Sequence, residues 1–395
     1  MRQPTYVLRL GLLLGMVGSL LSGCGSPMTP APLLIIGLYN LTGAMAAYDI
    51  PVEQGVALAV KQRNAAGGIH GQLIDYRVKD TATDPAKIQA ATSAAIQEGA
   101  LALLAYDDPD SVLSSAPLAQ KAGIPFITAA ATSPRLPQQI GDMVFLACFG
   151  DNVQAATGAE YLYETMDARR IYQLTNVGYD YTRGLSAYFQ ARWTQLVPGG
   201  IVLSDTYQIQ DTDFSAQIAR LKTIQPPPDA FYIAAYPDEL PAILSAFRSA
   251  GFAQPIMGGD TYDGAAIRTT TAGPTSQVYY TTHGAFPAPA TGPLHDMVTA
   301  FTKEYSKPPE TIFPALGYDA ARVLFAAMDR AADMKGATIR TALEETKDFP
   351  GATGTLSYGP SLVEHIPRKT VTIIEVQNGE LVLVGTRTPR EIPAP

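Results

Sequence analysis

The chain has 395 residues, long for one hydrophobic core and suited to two domains of ordinary size. Apolar residues make up 47% and charged residues only 16%, a balance that argues against a disordered or coiled-coil chain and fits a well-packed globular one. The net charge of −8 would repel a phosphate backbone, which disfavours nucleic acid as a partner.

At the N-terminus, Arg2 and Arg9 supply a positive region and Leu10 to Leu21 an apolar core. Leu21-Ser22-Gly23-Cys24 follows as a small-residue cleavage site ending in cysteine. A spanning helix needs roughly 20 residues, so this core is short for a retained membrane segment. The pattern resembles a bacterial lipobox, with an ordinary signal peptide or a short anchor as alternatives. That resemblance implies removal of residues 1–23, lipidation of Cys24, and a flexible Pro-rich tether over 24–32. With Cys24 lipidated, Cys148 has no partner and the exported chain has no internal disulfide. Cys148, between Ala147 and Phe149, reads as a buried apolar residue.

Leu33 to Leu38 reads as a short buried strand, and Asn40 to Tyr48 as a Gly- and Ala-rich loop. Val52, Val56, Ala59 and Val60 recur at helical spacing over 52–64, and Ala66-Gly67-Gly68 ends that helix. A strand over 73–79 follows. Asp84-Pro85 opens the next helix with a capping residue and a proline at the first position. The same alternation predicts strands over 100–105 and 125–128 with a helix over 112–121 between them. It restarts after Phe149, with helices over 154–165, 181–195, 214–223 and 237–251 and strands over 170–175, 201–207, 230–234 and 255–258. Strand and helix alternating at this period imply parallel sheets covered on both faces. A strand over 278–282, helices near 294–305, 317–331 and 338–346, and a hairpin turning on Asn378-Gly379 complete the chain.

A catalytic reading finds little support. No G-x-S-x-G elbow, P-loop or G-x-G-x-x-G occurs, and Gly184-Leu185-Ser186 lacks the second glycine. His70, His283, His295 and His365 are scattered without metal-ligand spacing, so neither a metal nor another cofactor is expected. A binding reading gains from the loops after the strands, because open parallel sheets bind ligands at the carboxyl ends of their strands. Tyr48, Tyr106 to Ser111, Ala130 to Ser133, Tyr236, and Asp260 to Tyr262 all fall at that edge. Each tyrosine alone could equally be edge packing, so the shared edge carries the argument.

The run Ile36-Gly37-Leu38, Leu41-Thr42-Gly43, Gly55, Ala57 to Val60 and Asn64 to Gly71 is similar to the opening of the leucine/isoleucine/valine-binding proteins of ABC importers. The similarity continues through Asp84-Pro85, Ala119 to Pro125, Ala130 to Pro134, Tyr181, Tyr236 and Tyr318-Asp319-Ala320. This resemblance implies a type I periplasmic-binding fold, α/β, with two Rossmann-like lobes of parallel sheet joined by a three-strand hinge. It places one lobe at 33–149 plus 282–354 and the other at 150–281 plus 355–395. By matching motifs, Thr132 and the backbone of Ala130 would hold a ligand carboxylate and Asp260 an ammonium. Tyr48, Tyr106, Tyr181, Tyr236 and Phe313 would line the cleft.

One departure stands out. Where the relatives carry a carboxylate-binding serine at the start of a helix, this chain has Pro109, which lacks both a hydroxyl and a backbone donor. Asp110 is expected to cap that helix, with Ser111 as a substitute anion contact if the loop is shifted. Asp107 and Asp108 are read as solvated loop residues, with a cleft-facing role as the alternative. The relatives' single disulfide is also absent, one of its positions reading Thr83. A site that has lost its anion contact would suit a neutral polar or cationic ligand.

The function implied is a lipid-anchored extracytoplasmic receptor, read as a monomer, that binds an amino acid or related small polar compound without changing it. Its partners would be the permease and ATPase subunits of an ABC importer, and it would meet the membrane only through its lipid. A ligand sensor of the same fold is the alternative, which neighbouring kinase or regulator genes would favour. An exported hydrolase ranks last, for want of an activated serine.

Overall fold

The computed structural model describes Met1 and residues 31–395 apart from 237, 265, 266, 269–276 and 287. Cys24 and the leader beyond Met1 lie outside the described residues. No helix among the described residues is long and apolar enough to cross a membrane.

The first half of the chain alternates as expected: β1 (Leu33–Tyr39), α1 (Ala46–Ala65), β2 (Ile74–Asp80), α2 (Pro85–Gln97), β3 (Ala102–Ala105), α3 (Pro109–Ala122), β4 (Phe126–Thr128), α4 (Leu136–Ile140) and β5 (Val144–Leu146). Its five strands form one parallel sheet in the order β2-β1-β3-β4-β5. β3, β4 and β5 are buried throughout, as continuous apolar runs with helices on both faces require. α2 starts where its sequence signal put it, with the Asp84 carboxylate accepting from the amides of Ala86 and Lys87 and Pro85 at the first position. α4 and β5, five and three residues long, are too short for periodicity to show and were not anticipated.

The second alternation is α5 (Asp151–Glu164), β6 (Ile171–Asn176), α6 (Asp180–Leu196), β7 (Ile201–Tyr207), α7 (Ser215–Lys222), β8 (Ala230–Ala234), α8 (Leu240–Ser249), β9 (Ile256–Gly258), a 3₁₀ turn (Asp260–Tyr262) and β10 (Val278–Thr282). With β13 (Val371–Gln377) and β14 (Glu380–Arg387), its strands build a second sheet in the order β14-β13-β10-β9-β8-β6-β7. Only the terminal hairpin is antiparallel. Asn378 and Gly379, at φ 54° and 83°, supply the two left-handed residues that a two-residue turn of matching twist requires.

Between β10 and β13 come α9 (Pro293–Tyr305), α10 (Phe313–Arg330), α11 (Gly336–Glu344) and a small antiparallel pair, β11 (Phe349–Gly351) with β12 (Gly354–Leu356). These return to the first sheet, where α10 packs along α1. Glycines make that crossing tight: a Cβ on Gly55 would stand 1.9 Å from the Pro314 carbonyl oxygen, and one on Gly317 2.0 Å from that of Val52. The two helices therefore touch backbone to backbone.

The chain thus passes between the two α/β lobes three times, and the three passages meet. Phe149 on the first stacks on His283 of the second, ring centroids 3.7 Å apart. Lys369 on the third donates to the Ala147 carbonyl at 2.6 Å and to Thr353 at 2.6 Å. Phe149, Val153 and Val371 form a separate small apolar cluster at this joint.

Gly55→Val should destabilise the protein by about 3 kcal/mol or more, because neither helix backbone can yield to a side chain. Urea titration checks this, and a midpoint within error of the parent would refute the close crossing.

Candidate functional site

The loop from β3 to α3 builds one wall. Tyr106 takes φ +30°, a region that costs a non-glycine residue of order 1–3 kcal/mol, and the Thr128 hydroxyl holds its carbonyl at 2.7 Å. That turn carries Asp107 and Asp108 to the cleft. Asp108 caps α3 by accepting from the Ser111 amide at 2.7 Å, with Pro109 at the first helical position. Asp49 of α1 accepts from the amides of Asn40 at 2.7 Å and Asp107 at 2.9 Å.

Oxygens of Asp49, Asp107 and Asp108 consequently lie within 4.8 Å of one another, a donor set that could hold a hard cation. Burial raises all three carboxyls above the ordinary range. Asp108 reaches about 6; Asp49, next to Asp108, reaches about 7; Asp107 is pushed well up by burial and then by Asp49 and Asp108.

The opposing wall is built around Asp260 in the 3₁₀ turn. Its carboxylate accepts from Gln154 at 3.0 Å and the Tyr181 hydroxyl at 2.8 Å, and pairs with His283 Nε2 at 3.0 Å. Burial lowers the His283 pKa, so the hydrogen-bond network assigns a neutral ring donating from Nε2. A Cβ on Gly259 would stand 2.3 Å from the Tyr181 hydroxyl, so the glycine is what lets that ring in. Nearby, burial and Asp260 push Asp151 up to about 8, and burial pushes Asp263 up to about 7.

Between the walls lies a narrow cavity, about 270 Å³ of space counted together with its opening to solvent. Tyr48, Tyr181, Tyr236 and Phe313 give it aromatic faces, and Ala130, Thr132 and Asp260 also line it. Tyr48 packs edge-on to Phe313 at 5.1 Å and to Tyr236 at 6.2 Å, and its hydroxyl crosses the cleft to the Thr261 carbonyl at 2.9 Å. Arg135 reaches Asp180 at 2.8 Å, and the Asp180 amide donates to Asp110 at 3.2 Å, tying the two lobes together at the rim.

Three expected residues stand outside this wall. Tyr106 turns into the first lobe's interior, near Phe126. Ser111 is spent on Asp108 and Asn40. Asp110 is exposed at the rim, and the capping expected of it falls to Asp108, because α3 begins at Pro109. Of the other lining residues, Met45 was not anticipated, Thr261 was placed only at the shared edge, and Asp107 and Asp108 take the cleft-facing role that was the alternative for them. Asp107 and Asp108, read as solvated, are drawn inward by the amide-to-carboxylate bond between Asp107 and Asp49, a contact across 58 residues that no local pattern announces. Tyr48 likewise sits in the first turn of α1, which begins six residues before the predicted start even though Pro51 lies inside the helix.

Fold and site together define a two-lobed solute-binding protein. The family described as periplasmic binding protein matches residues 35–380, and the chain belongs to it. The Leu/Ile/Val-binding protein BraC3 of Rhizobium johnstonii is 27% identical over 340 residues, covering 85% of this chain and 89% of the relative. Among solved structures, the branched-chain amino acid transporter substrate-binding protein LivJ of Streptococcus pneumoniae, in complex with isoleucine, superposes with TM-score 0.81 at 27% identity, covering 90% of this chain and 99% of that one. The leucine-binding protein LivK of Thermotoga maritima gives TM-score 0.81 at 28% identity, with the same coverage. The family and fold are those of extracytoplasmic substrate-binding proteins of ABC transporters, not of enzymes.

Asp49, Asp151 and Asp263 bind protons more tightly folded than unfolded, so the stability they contribute is present at low pH and lost as pH rises through about 7 to 8. Between pH 6.5 and 8.5 the Asp151→Asn variant should lose less melting temperature than the parent. Parallel curves would show that Asp151 is not held protonated.

Proposed function

We propose that this chain is a lipid-anchored extracytoplasmic receptor that captures an amino acid or related small polar compound between its lobes and delivers it to the permease of an ABC importer. The observation that carries this reading is the cavity itself, walled from both sheets at their strand ends and bridged by the Tyr48–Thr261 hydrogen bond. Its contacts run across the mouth of a hinged cleft, as closure on a solute needs. The isoleucine complex of the Streptococcus relative and the branched-chain specificity in the relatives' names support the substrate class. On this reading the lobes divide as 33–149 plus 282–354 and 150–281 plus 355–395, save that Tyr358 and His365 bond the Leu146 and Val144 carbonyls and so stay with the first lobe up to the passage at Lys369. Asp260 faces the amine of the ligand, and Cys24 bears the lipid.

Asp260→Ala strips a counter-charge and leaves Tyr181, Gln154 and His283 without their acceptor. It should weaken binding of an amine-bearing solute about 30-fold or more, roughly 2 kcal/mol, by calorimetry. Unchanged affinity would reject the Asp260 role.

Cys24→Ser should move the protein from the membrane fraction to the soluble one and abolish palmitate labelling. Labelling that persists would reject the anchor. In proteoliposomes carrying the cognate permease and ATPase, uptake should require this chain, and uptake without it would reject the delivery role.

A further inference from the structure

Among the described residues the cavity wall carries three carboxyl groups, those of Asp107, Asp108 and Asp260, and no lysine, arginine or histidine. We propose that the solute is a small organic cation without a carboxylate, an amine or quaternary ammonium, whose positive charge lies between Asp260 on one wall and Asp107 and Asp108 on the other, against the rings of Tyr48, Tyr236 and Phe313. This narrows the solute class of the receptor reading above and rests on it.

The side-chain donors that an anion would need at the start of α3 and around it are already spent. Helix α3 aims its N-terminus at the cleft, but Pro109 has no N–H there. The Ser111 amide and hydroxyl both go to Asp108, whose carboxylate occupies the place an anionic ligand would take. The Asn40 amide group bonds Asp108 and the Ser111 hydroxyl. On the facing side the Thr261 hydroxyl is bound to the Ala235 carbonyl at 2.7 Å, and the Thr132 hydroxyl to Asp151.

The acceptors, by contrast, are in surplus. Asp107 Oδ1 is shut from solvent with no donor among the described residues, and the side chain's one partner is another acid, the Asp49 carboxyl, so the group gains from a cation that arrives beside it. Burial and mutual repulsion keep Asp107 and Asp108 above the ordinary carboxylate range, and a cation set beside them reverses that penalty. Aromatic rings beside the acids attract positive charge through their quadrupoles and desolvate it without competing donors. A bare metal ion explains less. Asp49, the third acid, already accepts two backbone amides, and the rings would have no role.

The test is a thermal-shift and calorimetric comparison on the purified mature chain. Choline, tetramethylammonium and putrescine are the cationic probes, set against isoleucine, isobutyrate, acetamide and calcium chloride. An organic cation should give the largest rise in melting temperature. Asp107→Asn should weaken that cation at least tenfold while leaving the ligand-free melting temperature unchanged or higher, since a repelling charge is removed. Glu304→Gln, at an exposed ion pair with Lys61, should leave its affinity unchanged.

Isoleucine, isobutyrate or acetamide binding best, with an affinity indifferent to Asp107→Asn, would overturn the cation assignment and leave the receptor reading standing. Calcium alone giving the shift would overturn it in favour of a metal site. A folded protein that answers no probe of any class would count against both.

Discussion

The site depends on one buried carboxylate. Asp49, on the first turns of α1, accepts the amides of Asn40 at the end of β1 and of Asp107 in the loop after β3. That single group binds three separate segments and satisfies backbone donors that would otherwise be stranded without water. Its neighbour Tyr48 is thereby aimed across the cleft, and Asp107 and Asp108 are turned inward. The cost is a set of carboxyl groups packed where their charges repel, visible in the raised pKa values of Asp49 and Asp108. An arrangement that unfavourable in isolation is what one expects of a site completed by something else.

The second wall is wired to the joint between the lobes. Asp260 pairs with His283, and His283 stacks on Phe149, so one ligand-side group touches one of the three chain passages directly and a second through that ring. The third passage is held by buried Lys369, which reaches the Ala147 carbonyl and Thr353. Thr353 is in turn fixed by Asp319, whose carboxylate accepts from the amides of Ala352 and Thr353. A solute that shifts Asp260 would therefore act on the hinge through a contiguous chain of packed and hydrogen-bonded groups.

Much of the fold was legible from local pattern. Strand and helix alternation, the Asp84-Pro85 cap, the Asn378-Gly379 turn and the apolar strands each follow from a few consecutive residues. The losses were at elements too short for a period to register, such as α4, β5 and the β11–β12 pair, and at the start of α1, where Pro51 looks like a boundary. The aromatic lining at Tyr48, Tyr181, Tyr236 and Phe313 could be anticipated because it sits at strand and helix ends on one edge. Of the acidic lining, Asp260 could be anticipated in the same way, but the placing of Asp107 and Asp108 could not be decided. Whether Asp107 and Asp108 face water or the cleft turns on Asp49 and on the left-handed backbone at Tyr106, neither of which leaves a mark in adjacent sequence.

Sequence alone determined that this is a two-lobed α/β binding protein with a proline at the start of α3, because alternation, caps and missing donors are written in residue type and order. Tertiary structure decided which carboxylates share the cavity and which helix donors remain for a ligand. Those outcomes depend on hydrogen bonds between residues 58, 106 and 213 positions apart, Asp49 with Asp107, Gln154 with Asp260, and Tyr48 with Thr261. Only the packed chain brings such partners within reach, and only burial gives their charges the low-dielectric setting in which they matter.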